Sequence, residues 1–473
     1  MVDRSAERTF SLPPFEVRNP PPVPTTGVPA DPGCPRAWVS AVNMGLGHLR
    51  AAYPLTELTP DGILLADDPE LISEGEVKLW RRMRRAYESF SRARKVPLVG
   101  GLLYSILHKV ENISPYYPRR DLSQPTVQVK LLKTLLDRGL GSDLVERMRE
   151  REDLPLVSTF YAQALAADAT GYPRVYLVVT DTDINRVWVP ERPLDSDLFY
   201  LTPCGYARNR LKQYGIPDER IIMTGFPLPR ECVGREMGIL RRDLGARLQV
   251  LDPNDRYRVV HRVEAEHYLG AENFNRPPDR PLTLIYAVGG AGAQTELGLE
   301  ILESLREKVL ARKIRVWLAA GVRPEVAEIF QRGIHDLGLE NTFGPEGFVN
   351  ILLGRDHTDY FRKFNGALRQ TDLLWTKPSE LSFYTGLGLP IIMAPPIGPH
   401  EDSNKLWLFE MGGGIDQMEP RYADQWLFDL LERGVLARAA MDGFLYARSR
   451  GTYKIEEVAA TGGAEHEVSP LDR

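Results

Sequence analysis

The chain has little cysteine, no long apolar run and no excess of positive charge, and each shortage removes a class of protein. Only Cys34, Cys204 and Cys232 occur among 473 residues, at spacings unlike those of a metal site. A sparse, odd set fits a reducing compartment rather than a disulfide framework, and the thiols read as filler or surface groups. No uncharged apolar stretch approaches the ~20 residues needed to cross a bilayer. The opening residues MVDRSAERTF lack the apolar segment of a signal peptide. The expectation is a cytoplasmic protein whose only membrane contact is peripheral. A formal net charge of −5 argues against nucleic acid as a partner. No internal repeat is visible.

What is present is an ordinary globular composition, 43% hydrophobic and 26% charged. The length exceeds a single core and implies two domains. Residues 1–36 hold Pro20, Pro21, Pro22, Pro24, Pro29 and Pro32 and read as an extended arm. Residues 37–228 form a first unit. Its expected strands are Ala37–Val42, Val175–Thr180, Leu198–Thr202 and Arg220–Thr224, with helices at Leu49–Leu55 and Ala207–Tyr214. The proline-rich stretch from Thr224 to Pro229 reads as a linker. Residues 229–450 form a second unit with a charged, irregular opening between Glu231 and Arg280 whose first part reads as helical. Strands are expected at Leu282–Val288, Ile314–Ala319, Asp372–Thr376 and Ile391–Ala394. Helices are expected at Thr295–Arg312, Arg323–Gly338, Tyr360–Gln370, Tyr422–Gly434 and Val435–Arg450, and 451–473 reads as a tail. Strands alternating with helices imply parallel sheets. The fold class is therefore α/β, with two doubly wound Rossmann-like domains facing a central cleft.

Five segments carry candidate chemistry. Gly45-Leu46-Gly47-His48 follows the first strand and opens a helix. Its glycines permit a tight turn and close backbone approach, and His48 is a candidate general base. A plain strand–helix turn capped by histidine is the alternative. The third glycine and acidic follow-up of a dinucleotide fingerprint are missing, which counts against a dehydrogenase. Thr180-Asp181-Thr182-Asp183 ends a buried strand, where the carboxylates suit sugar hydroxyls, a metal held through phosphates, or turn chemistry. Gly289-Gly290-Ala291-Gly292-Ala293-Gln294 follows a strand and precedes a helix, as a diphosphate-binding loop does, or a tight turn.

The stretch Thr376–Asn404 reads as strand, helix, strand and polar loop. Lys377 suits a phosphate, Ser379 an N-cap, and Glu380 either ribose hydroxyls or the helix dipole. A polar loop is expected to close it at Glu401, Asp402, Ser403 and Asn404. Finally, eight basic residues between Lys78 and Lys95 interleave with Leu79, Trp80, Met83, Tyr87 and Phe90, ahead of an apolar run to Leu107. A basic, aromatic helix of this kind suits an anionic membrane surface, or a solvated face packed on the sheet.

Five segments resemble one family in order. GLGHLRAA (45–52), VVTDTDINRVWVP (178–190) and DLFYLTPCGYARNRLKQYGIPDERIIMTGFPL (197–228) resemble its first domain. AVGGAGAQ (287–294) and TKPSELSFYTGLGLPII (376–392) resemble its donor half. The family comprises the GT-B glycosyltransferases related to monogalactosyldiacylglycerol synthase, processive diacylglycerol glucosyltransferase and the peptidoglycan N-acetylglucosaminyltransferase.

The resemblance implies a glycosyltransferase (hexosyltransferase) that uses a UDP-sugar with inversion, and neither metal nor cofactor. It implies His48 and Asp181 as catalytic groups, with Gly45, Gly47 and Asp183 on the acceptor side. It implies Gly289, Gly290, Gly292, Gln294, Lys377, Ser379, Glu380, Ser382 and Asn404 around the nucleotide-sugar. It also implies an acceptor hydroxyl, of a lipid or another molecule. Residues 78–119 read as a basic and apolar insertion in the first domain, with 78–107 suited to an anionic membrane surface. Here Lys377-Pro378-Ser379-Glu380 replaces the Gly-rich, Thr-containing run of that family. An epimerase or hydrolase on the same fold, and a non-catalytic nucleotide-sugar-binding protein, are the rival readings.

Overall fold

A computed structural model describes residues 36–473 apart from 60–61, 94–112, 276, 278–279, 290–291, 293, 345, 397, 465–466 and 468. Among the described residues two six-stranded sheets form, every strand pairing parallel to its neighbours. The first contains β1 (Trp38–Ala41), β2 (Leu64–Leu65), β3 (Leu156–Ser158), β4 (Val175–Val178), β5 (Phe199–Thr202) and β6 (Ile221–Met223), in the order β2-β1-β3-β4-β5-β6. The second contains β7 (Leu282–Ala287), β8 (Ile314–Gly321), β9 (Val349–Leu353), β10 (Leu373–Thr376), β11 (Ile391–Met393) and β12 (Gly414–Asp416), in the order β12-β11-β10-β7-β8-β9. Helices cover the faces, so β1, β3, β4, β7, β10 and β11 are buried along their whole length. That is why they read as continuous apolar runs rather than alternating ones.

The two orders fix where a ligand belongs. In the first sheet the chain steps from β1 to β2 on one side, then returns to place β3 on the other. The switch point lies between β1 and β3. In the second, β7, β8 and β9 run one way while β10, β11 and β12 run the other, so the switch lies between β7 and β10. In open α/β sheets the ligand crevice opens at the carboxyl ends of the strands at such points. Two Rossmann-like domains facing a cleft are the architecture expected from the sequence.

The domains are joined by more than the linker. Phe226 stacks on Phe383 at 4.9 Å and 11°. Arg230 donates to the carbonyl of Pro54 at 2.8 Å and pairs with Glu57 and Glu456. The expected tail departs from the sequence reading. Gly451–Thr461 is a helix, largely buried, and Thr452 donates from Oγ1 to the carbonyl of Leu228. Ser449 and Arg450 then donate their backbone N–H groups to the carbonyl oxygen of Arg473, each at 2.9 Å. The charged opening of the second unit is helical in its first part, Gly238–Leu251, as expected, and a second helix, Arg258–Leu269, makes it more regular than expected.

Candidate functional site at the facing switch points

At the first switch point, Gly45 adopts φ +113°, a conformation that glycine takes without strain, and the helix Leu46–Ala52 opens directly after it. His48 lies in its first turn. Its Nδ1 is 2.7 Å from the carbonyl oxygen of Thr159, the residue after β3. A carbonyl only accepts, so Nδ1 carries the proton and Nε2 presents a lone pair in the neutral ring. Thr159 also donates from Oγ1 to the backbone oxygen of His48 at 2.9 Å. The Phe160 ring lies edge-on to the imidazole at 4.9 Å. Burial lowers the His48 pKa, outweighing the raising effects of the Thr159 carbonyl, Asp181 and Glu380. The imidazole is therefore neutral at pH 7, with its orientation fixed by the backbone.

The helix Glu74–Ala93 braces this loop. Arg84 donates to the carbonyl of Asn43 at 3.2 Å and pairs with Asp67, whose other oxygen accepts from the Asn43 N–H at 2.9 Å. Leu79 and Trp80 of the same helix are buried, the latter donating to Glu76 at 2.9 Å. Part of the basic, aromatic helix is thus packed on the sheet. Lys78, Arg81, Arg82 and Arg85 remain exposed, at spacings that share one helix face. Residues 94–107 of that segment, and Gly290, lie outside the described residues.

Asp181 and Asp183 part company. Asp183 is buried and receives Arg210 through Nε at 2.7 Å and Nη2 at 2.8 Å, together with the Ile184 N–H at 2.9 Å. Burial raises its pKa while Arg210 opposes the rise. These contacts tie Asp183 to the first domain. Asp181 is partly exposed, and its Oδ1 accepts from Asn404 Nδ2 at 3.2 Å, across the cleft.

At the second switch point, β7 leads to Gly289 and β10 leads to Lys377. The two are in contact: a Cβ built on Gly289 would lie 2.7 Å from Lys377 Cε. Lys377 pairs with Glu401, a buried carboxylate, and His400 Nε2 lies 3.9 Å from the same oxygen. Gly292 has φ +69° and donates its N–H to the Gly289 carbonyl at 2.7 Å. Gln294, at φ 66°, heads the helix Thr295–Ser304, and its side chain donates to the Pro395 carbonyl at 3.2 Å.

Ser379 occupies the N-cap position of a 3-10 helix, Glu380–Leu387, but its side chain makes no capping bond. Ser382 is wholly buried, and its hydroxyl finds no partner among the described residues. The expected polar loop at Glu401–Asn404 is instead the start of a helix, Pro399–Glu410. Proline suits the first helical turn, where its missing N–H costs nothing.

The two switch points meet. A Cβ on Gly47 would lie 3.6 Å from Glu380 Oε2. Arg50, also on helix Leu46–Ala52, donates from Nε to Glu380 Oε1 at 3.1 Å. Asn404 accepts from both the N–H and Oγ1 of Thr182. Arg50, Thr159 and Thr182 were not singled out by sequence. A buried arginine in a helix looks like any surface charge, and Thr159 acts through its carbonyl. Among the described residues no cluster of His, Cys, Asp and Glu could hold a metal ion, and no helix is long and apolar enough to cross a membrane.

A family model described as a domain of unknown function (DUF6938) matches residues 271–456, less than half of the chain. No curated protein matches. Among solved structures, the chain is similar to MnaA of S. aureus in a co-structure with UDP, at 10% identity and a TM-score of 0.46, over 92% of this chain and 100% of that one. It is similar to MurG of Acinetobacter baumannii at 14% identity and a TM-score of 0.41, over 69% and 78%. It is also similar to UDP-GlcNAc 2-epimerase of Neisseria meningitidis bound to UDP-GlcNAc, at 11% identity and a TM-score of 0.42, over 90% and 97%. At these values the likenesses carry no weight in assigning an activity.

Proposed function

We propose that the protein is a nucleotide-sugar enzyme, and specifically a glycosyltransferase that moves a sugar from a UDP-sugar to an acceptor hydroxyl with inversion. One observation carries the reading: a backbone-oriented neutral imidazole at one switch point lies within electrostatic reach of Glu380 at the other, where Gly289 and Lys377 also meet. In this reading the diphosphate lies against Gly289, Gly292 and Lys377, where glycine permits close approach and the ammonium supplies charge. Glu380 Oε2 accepts from ribose hydroxyls. The acceptor hydroxyl donates its proton to His48 Nε2 as its oxygen attacks the anomeric carbon opposite the diphosphate. The bond from that carbon to the diphosphate oxygen breaks, and UDP leaves with the electron pair. Lys377 and the backbone N–H groups stabilise the charge that develops there.

Epimerisation is the second reading. Asp181 and Glu380 both lie near enough to His48 to act on its charge, so the cleft gathers three groups able to move protons on one sugar. Incubating the protein with UDP-sugars, with and without candidate acceptors, separates the two. Acceptor-dependent release of UDP supports transfer, whereas a new UDP-sugar without release supports epimerisation.

A lipid acceptor at an anionic membrane is supported by the exposed stripe of Lys78, Arg81, Arg82 and Arg85. Each such residue contributes ~1 kcal/mol near an anionic surface. Sedimentation with phosphatidylserine vesicles at low salt, falling as salt rises, is the expected result. Protein left in the supernatant at low salt points to a soluble acceptor.

A further inference from the structure

Arg50 is a deeply enclosed charge at the cleft. It belongs to the first domain, yet its side chain enters a cage built wholly by the second. Its guanidinium carbon lies 4.8 Å from the Phe364 ring centre, 4.9 Å from Phe361, 5.7 Å from Tyr360 and 5.9 Å from Tyr384. The residue is 2% exposed. Aromatic faces attract a cation, but a buried charge also requires an opposite charge or hydrogen-bond acceptors. Glu380 supplies the carboxylate, through Oε1 at 3.1 Å from Nε. Burial works against the charge, yet Tyr384, Tyr360 and Glu380 outweigh it and hold Arg50 cationic.

Fixing Oε1 fixes the other oxygen. Glu380 Oε2 is left beside Gly47, on the same helix as His48. A glutamate opening a short 3-10 helix has free rotamers unless something holds it, and what holds this one comes from the opposite domain.

We propose that Arg50 is a cross-domain positioning residue: it holds one oxygen of Glu380 so that the other is aimed at the sugar ring of a bound nucleotide. This rests on the nucleotide-sugar reading above. Arg50 does not itself touch the ligand. Its contribution passes through Glu380, and it exists only while the two domains are together. Domain closure and orientation of the ligand-binding carboxylate become one event, since the guanidinium reaches the carboxylate only from across the cleft.

The test is a double-mutant cycle on UDP binding, read by calorimetry on the full chain. R50K keeps the charge but loses the planar Nε donor. It is expected to weaken UDP binding about tenfold, the low end for losing one charged hydrogen bond. E380Q is expected to weaken it at least as much. In the E380Q background, R50K should change affinity less than about twofold, because the group it acts through is already altered. A merely structural role would give losses that multiply. If R50K does not fold, R50Q, which retains donors without charge, takes its place in the same cycle. Losses that multiply, or an R50K protein that binds UDP as the wild type does, would overturn the proposal while leaving the nucleotide-sugar reading intact. Failure of the wild-type protein to bind UDP would overturn both.

Discussion

Asn404 commits one end of its amide to Thr182 of the opposite domain: its Oδ1 accepts from the Thr182 N–H at 3.0 Å and from Oγ1 at 2.8 Å. Its Nδ2 donates to Asp181 Oδ1 at 3.2 Å and to the Pro378 carbonyl at 3.3 Å. All of its conventional hydrogen-bonding capacity is used. In this conformation Asn404 acts as a clasp that aligns Asp181 rather than as a group left open to a ligand. With the Arg50–Glu380 pair, the cleft is bridged at two places.

His48→Ala is expected to lower turnover ~10²–10⁴-fold while leaving UDP binding nearly unchanged, the usual consequence of losing a general base. Near-normal rates in the variant would remove His48 from the mechanism. Burial sets the pKa of the ring below the ordinary value of about 6.5, so the base form persists into mild acid. The acid limb of the kcat/KM profile should therefore lie below that value. The same shift has a sign for stability. The unfolded chain takes up the proton first as pH falls, so this contribution is complete above about 6.5 and is lost below it. Urea melts of the wild type and His48→Gln at pH 7.5 and 5.5 check this: the wild type should lose more stability on acidification.

Gly289→Ala tests the diphosphate loop without disturbing the core. The added methyl would meet the far end of the Lys377 side chain, which can move. The melting temperature should change little, while UDP binding weakens severalfold as Lys377 is displaced. Unchanged affinity by calorimetry would detach this loop from the nucleotide.

Arg247 is expected to control stability rather than catalysis. It is 2% exposed and donates to the carbonyls of Thr371 at 2.9 Å, Leu387 at 2.8 Å and Gly388 at 3.1 Å. These acceptors include the end of the 3-10 helix that begins at Glu380. Burial pushes its pKa down to about 10, so it is still charged at neutral pH. Arg247→Met leaves those carbonyls unsatisfied and should cost about 3 kcal/mol, near the upper range for bonds to a charged group. Chemical denaturation measures it, and a loss within 0.5 kcal/mol, about what a surface substitution gives, would contradict the assignment.

Much of this was legible in the sequence, and the failures share a cause. Long buried strands such as β7 and β8 announce themselves as apolar runs, and the glycine loops mark their ends. Short strands do not. Leu156–Ser158 and Leu64–Leu65 sit within charged or mixed surroundings, and pairing with β1 rather than local propensity makes them strands. Without β3, the first switch point and the carbonyl that orients His48 were invisible. The stretch before Asn404 read as a loop because its prolines looked like breakers, although Pro399 begins a helix. The cross-cleft partners of Glu380 and Asn404 lie hundreds of positions away, where no periodicity reaches. The residues 451–473 lacked a strong pattern, yet Gly451 is packed against the Phe226 carbonyl too closely for any side chain.

The account stands most directly on whether the β7/β10 switch point takes a uridine diphosphate. Calorimetric titration of the full chain with UDP decides it. The prediction is saturable binding at one site per chain, with a dissociation constant between roughly 1 μM and 1 mM, the range in which enzymes meet their substrates, and weakened about tenfold or more in the Glu380→Gln variant. No binding at millimolar UDP, or binding that Glu380→Gln leaves untouched, would contradict it.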